Sequence, residues 1–164
     1  MKTISNYRKN FFSLFTATLM VSSVMLTSCD KDDEIEDIDD DKYTLSGNAT
    51  GAKEIPSNMS AAAATLTGTY DAGNNSLNYT INWTGLSNVA TAAHFHGPAT
   101  ATETADPLVD ITIGTNGING NASGTVTVTD AFEVALLTGK VYYNIHTALY
   151  PGGEIRSQVA STKQ

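Results

Sequence analysis

Three histidines are the residues of this chain best suited to chemistry, and two of them, His94 and His96, are one residue apart. In an extended strand, side chains at i and i+2 leave by the same face with Cα atoms about 6.6 Å apart. Both imidazoles can then converge on one ion while Phe95 points the other way, into a core. Copper and zinc both accept imidazole nitrogen, so the pair is half of a metal site. His146 falls on the polar side of a second alternating segment and can complete three ligands, with Glu154 a candidate fourth. The competing reading is structural: the rings hydrogen-bond to neighbours such as Tyr142 or Asn144 and hold loops in place.

The run from Pro151 to Arg156 reads first as a corner. Pro151 fixes φ, Gly152 and Gly153 allow the chain to turn, and Ile155 enters the core. Glu154 and Arg156 then share the outer face, where they can pair with each other or across strands. The alternative is an arginine that reads a carboxylate or phosphate. Tyr142, Tyr143 and Tyr150 fit core and rim positions. Nucleophilic catalysis finds no support, because the chain has neither a Gly-x-Ser-x-Gly elbow nor a Gly-rich phosphate loop beside a helix. Glu54, Glu154 and Asp110 make a carboxylate pair only if folding happens to join them.

The elements that must position these residues are strands. Leu77, Tyr79, Ile81 and Trp83 alternate with Asn78, Thr80 and Asn82, the pattern of a half-buried strand. Thr125–Thr129 alternates in the same way, as do Val141, Tyr143 and Ile145 against Tyr142, Asn144 and His146. Further strands are expected near 43–50, 61–70, 90–96, 107–113 and 153–160, with turns at 71–75, 96–99, 114–121 and 150–153. One segment differs. Asp130 stands at an N-cap position, Glu133 follows three residues on and Gly139 closes the apolar run, which predicts one or two helical turns. The expectation is an all-β fold: an antiparallel immunoglobulin-like or Greek-key sandwich or barrel with one short helix.

The N-terminus sets the address. Lys2, Arg8 and Lys9 precede an apolar run from Phe11 to Leu26 and then Leu26-Thr27-Ser28-Cys29, which reads as a signal peptide over 1–28. The last four residues resemble the lipobox of bacterial lipoproteins, in which the cysteine becomes the acylated N-terminus. Cys29 is the chain's single cysteine, so the mature monomer would have no disulfide. Residues 29–42 follow as the acylated cysteine and an acidic tether, in which nine of the thirteen residues from 30 to 42 are Asp or Glu. Like charges keep such a run solvated. An acidic run placed there also resembles the surface-export signal of some Gram-negative groups. Without residues 1–28 the chain keeps 6 bases against 17 acids, a net charge of −11, and residues 43–164 alone carry 4 against 8. No basic patch is present, which argues against nucleic acid as a partner. The expected location is the cell envelope, lipid-anchored at the outer membrane.

Residues 43–164 are enough for one domain. Within them "LSGNATGAKEIPSNMSAAAATLTGTYDAGNNSLNYTINWTGL", "AAHFHGPAT" and "VYYNIHTALYPGGEIRSQVA" together resemble the CHRD domain, repeated in chordin and found singly in many bacterial secreted proteins. The likeness runs through the whole segment in order. It rests on Glu54-Ile55-Pro56, on His94-x-His96-Gly97-Pro98, and on His146-Thr147 followed by Pro151-Gly152-Gly153-Glu154-Ile155-Arg156. Ser57 and Ser157 stand where that family often has a second proline and a glycine. The resemblance implies an immunoglobulin-like β-barrel, and for bacterial members no established reaction. A His-x-His strand followed by Gly, with a distant third His, is also loosely similar to copper-zinc superoxide dismutase. That enzyme family needs more histidines, a zinc loop and a disulfide, whereas three histidines and one cysteine are present here.

Two functional expectations follow. The first is a membrane-anchored, non-catalytic binding or adhesion module of the bacterial cell envelope. It would be held in lipid through acylated Cys29 and meet an extracellular or periplasmic protein or glycan through loops near 97–106 and 114–121. The second is a copper- or zinc-binding, or dismutase-like redox, domain built on His94, His96 and His146.

Overall fold

The structure, a computed structural model, describes residues 41–164. The signal peptide, Cys29 and the tether up to residue 40 lie outside the described residues. What is described is a single curled sheet, a half-barrel wrapped around one core, with one helix. The all-β expectation with a short helix therefore holds.

One half of the sheet is a meander. β1 (Lys42–Thr50), β2 (Ala63–Asp71) and β3 (Ser76–Thr84) pair antiparallel in unbroken register, and β6 (Gly120–Thr127) pairs with the far side of β3. The β2–β3 turn forms because Asp71 Oδ1 and Asn74 Oδ1 accept the amides two residues on, Gly73 and Ser76, while Asn75 takes a φ of 54°. Leu77, Tyr79, Ile81 and Trp83 all point inward, as their alternation requires. β1 takes in Lys42, one residue inside the expected tether.

The other half carries the candidate site. β4 (Ala90–His96) lies between β5 (Pro107–Asp110) and β7 (Tyr142–Thr147), and β8 (Ile155–Gln158) continues the path to β1. The single strand expected at 153–160 is two: β8 pairs with β7, and β9 (Ala160–Lys163) pairs with the other end of β1. The helix α1 (Asp130–Leu137) forms where expected, with its cap moved by one residue. Thr129, not Asp130, is the N-cap, because its hydroxyl accepts the Phe132 amide at 3.3 Å. Gly139 ends the segment at a φ of +71°. Phe132 and Leu136 seal the core against Phe95 and its neighbours.

β7 departs from the sequence reading in one respect. Its core face (Tyr143, Ile145, Thr147) is buried, yet on its outward face Tyr142 and Asn144 are only 3% exposed. The segment 97–106 closes over that outer face and makes it a second, polar interior.

Candidate metal centre

The geometry of β4 and β7 brings the three histidines together. His94 pairs with Asn144 and His96 with Tyr142 across the strands, and His146 sits opposite Ala92 on the same face. Phe95 points into the core at 1% exposure, as the i, i+2 argument demands. Each histidine offers one nitrogen, and the three nitrogens lie within 4.8 Å of one another. His94 Nδ1 and His146 Nε2 are 3.1 Å apart. Two nitrogens each 2.0–2.1 Å from a shared ion stand roughly 2.9–3.4 Å apart, so this spacing needs little adjustment.

The far sides of two of the rings are already oriented. His146 Nδ1 faces the carbonyl of Pro151 at 3.0 Å, and His96 Nδ1 faces the carbonyl of Ala105 at 2.9 Å. Asp110 Oδ1 lies 3.7 Å from His94 Nε2. At His96 and His146 these acceptors fix which nitrogen keeps its proton and turn the other inward, the usual support for histidine ligands. Burial lowers the pKa of both His96 and His146, against the hydrogen bonds from Ala105, Asn144 and Pro151 that would raise it. Neutral imidazole is the form that ligates. His94 and His146 remain half-buried, which leaves the cluster open to an ion from solution.

Glu154 does not join the histidines. Its carboxylate is fully buried and accepts four hydrogen bonds: Ser60 Oγ and the Ser87 amide on Oε1, at 2.7 and 2.8 Å, and Ser87 Oγ and Thr147 Oγ1 on Oε2, at 2.7 and 2.6 Å. Burial alone would raise its pKa, but these bonds outweigh it and the net shift is downward. It fastens the 60–62 and 87–89 segments to the start of β8, a structural task.

The outer-face pairing of Glu154 with Arg156 is likewise not what forms. Arg156 is 1% exposed and its guanidinium lies 3.5 Å over the Tyr142 ring. Its Nη2 donates to the carbonyls of Thr100 and Glu103, at 3.1 and 2.7 Å, and to Gln158 Oε1. Arg156 therefore clamps the 97–106 segment onto the sheet. His96 stacks on the same Tyr142 ring, centroids 4.6 Å apart and nearly parallel, so the clamp and the histidine cluster share one wall.

Two further residues enter, and the first makes the hydrogen bond to a histidine ring that the structural reading of the sequence expects. Asn144 lies between His94 and Arg156 across the strands, with Oδ1 2.9 Å from His96 Nε2. Glu54, named from the sequence as a motif residue and a possible member of a carboxylate pair, is buried beside it: burial raises its pKa, while Ile55, Arg156 and Asn144 work the other way. Glu54 Oε1 and Arg156 Nη1 are buried with no hydrogen-bond partner. Gly153 explains the second glycine of the corner. It has a φ of +128°, and a Cβ there would collide with Glu54 Oε1 and stand 2.8 Å from Asn144 Nδ2. Pro56 and Gly152 are exposed loop positions, and the carbonyl of Pro151 is the acceptor for His146. Gly97 passes close under Lys140, where a Cβ would stand 2.9 Å from its carbonyl.

Neither loop expected to meet a partner hangs free. Ala99, Thr100, Glu103 and Ala105 offer carbonyls to Gln158, Arg156, Tyr142 and His96. The segment 114–121 holds Trp83 Nε1, the Leu86 amide and the Gly85 amide through Gly117, Ile118 and Asn119.

Nothing matches among curated proteins or among solved structures. The family model described as the CHRD domain does match, over residues 45–159, which spans every strand from β1 to β8 and all the residues of the site just described. The chain belongs to the CHRD domain family.

Proposed function

We propose that this CHRD domain binds one transition-metal ion, copper or zinc, through His94, His96 and His146. The observation that carries the reading is the convergence of three imidazole nitrogens within 4.8 Å, two of the rings held from behind by backbone carbonyls. Three nitrogens leave room for a further ligand, and both copper and zinc are at home among imidazoles. The lipobox at Leu26–Cys29 and the acidic run behind it support a lipid-anchored place in the cell envelope, where the domain would meet metal outside the cytoplasm. Among the described residues no helix is long and apolar enough to cross a membrane.

Calorimetric titration of the full chain with copper(II) and zinc(II) tests this, beside a His94→Ala/His96→Ala double variant. Equimolar binding that the double variant loses while still folded supports the reading. Absence of binding by the wild type ends it, and returns the domain to the adhesion reading, in which the histidines only hold loops.

A further inference from the structure

We infer that Asn144 is a fourth ligand of the same centre, presented to the ion by Glu54. This rests on the three-histidine reading and adds one oxygen to it.

The carbonyl of Ala105 can only accept, so His96 Nδ1 carries the proton and Nε2 of the neutral ring presents a lone pair. Asn144 Oδ1 lies 2.9 Å from that Nε2 and also presents lone pairs. The amide could offer a hydrogen instead by turning over, but Glu54 opposes this. The amide nitrogen Nδ2 lies toward the Glu54 carboxylate on the far side, beside Gly153, and a turned amide would set its oxygen against that carboxylate. Glu54 Oε1 is buried without a hydrogen-bond partner, so turning the Asn144 amide would remove a donor that the carboxylate needs.

The second pair lies beside the first. Pro151 takes the proton of His146 Nδ1, Asp110 faces His94 Nε2, and the remaining nitrogens confront each other at 3.1 Å. At the first pair a nitrogen and an oxygen lone pair thus meet with no donor between them, and at the second a single proton would be shared between two nitrogens. A proton can serve one pair. A cation bound by all four atoms serves both at once, and the N···O and N···N separations of 2.9 and 3.1 Å are those of neighbouring ligands on one ion. Glu54 is then a positioning residue, the carboxylate behind a ligand. Gly153 is the position that lets it come close enough.

The test loads the full chain with one equivalent of copper(II) and compares wild type with Asn144→Ala and Asn144→Asp. Competition titration gives affinity, and electron paramagnetic resonance reports the ligand set. Asn144→Ala should weaken binding by at least the roughly 10–100-fold seen when groups around a metal are removed, and should change the spectrum. Asn144→Asp keeps an oxygen in place and should retain binding with an altered spectrum. Wild-type affinity and spectrum in both variants would overturn the inference and leave the three-histidine site standing. If the wild type binds no copper, the three-histidine reading itself fails and this inference falls with it. Should Asn144→Ala not fold, Asn144→Asp decides alone, an unchanged spectrum being the overturning result.

Discussion

Two outward faces of the same curled sheet are built on the same alternation and end in opposite states. On β1, β2, β3 and β6 the outward residues form cross-strand rows such as Ser46, Thr67, Thr80 and Ser123, or Thr44, Thr69, Asn78 and Thr125, uncharged and largely exposed. On β4, β7 and β8 the outward rows are His96, Tyr142 and Gln158, and His94, Asn144 and Arg156. There Tyr142, Asn144 and Arg156 are as buried as core leucines. The difference is the covering. The 97–106 segment and the turn before β2 lie over the second face, and that face supplies the partners those segments need. A polar face left in water is a solvated surface. The same face under a lid must satisfy every polar atom, and the groups it leaves unsatisfied mark where something else can bind.

Four substitutions sharpen the contrast. The largest stability loss is expected for Arg156→Ala, which strips the Thr100 and Glu103 carbonyls of their buried donor and unstacks Tyr142. It should cost about 3 kcal/mol or more in urea unfolding, with faster hydrogen exchange confined to 97–106. Glu154→Ala comes next, at about 2–3 kcal/mol, since four donors lose a buried acceptor. Gly153→Ala should cost about 1–3 kcal/mol from its backbone conformation alone, and weaken metal binding by displacing Glu54. Thr67→Ala, on the open face, should change stability by no more than about 0.5 kcal/mol. A Thr67 effect as large as that of Arg156 would erase the distinction between the faces.

Acid should act on the covered face first. The Glu154 pKa is lower folded than the 4.5 of its free form, so the unfolded chain binds more protons in that range. Its stabilisation is complete above about pH 4.5 and is lost as pH falls through the folded value. Glu54, raised by burial, contributes with the opposite sign and offsets part of the loss. Glu154→Gln should flatten the acid limb of a stability–pH curve, and an unchanged limb would mean that the Ser60, Ser87 and Thr147 bonds do not hold the carboxylate ionised. Metal affinity should separately weaken below about pH 6, as protons compete for imidazole.

Much of this was legible in the residues. Periodicity alone places Phe95 inward and His94 and His96 outward, and puts His146 on the polar side of its own strand, because side-chain direction in a strand is local. The burial of Arg156 and Glu154 was not legible. Alternation names a side of the sheet but does not say what lies over it, and Arg156 is buried by carbonyls about fifty residues earlier in the chain. The same limit hid the burial of Asn144 and Glu54 side by side. A polar residue between Tyr143 and Ile145 reads as solvent-facing, and only the three-dimensional approach of the Glu54 loop past Gly153 turns it into part of a site. One available signal was the paired glycine at 152–153: the second serves both the backbone conformation of the corner and the close approach of a side chain.

The central claim is that the covered face holds a metal ion. It is tested most directly by crystallising the full chain with copper(II) or zinc(II) and measuring anomalous scattering at the metal edge. The account predicts one strong peak about 2.0–2.1 Å from a ring nitrogen of each of His94, His96 and His146, lost in the His94→Ala/His96→Ala variant. Electron density showing the three rings bonded only to one another and to the Ala105 and Pro151 carbonyls, with no anomalous peak among them, would contradict it.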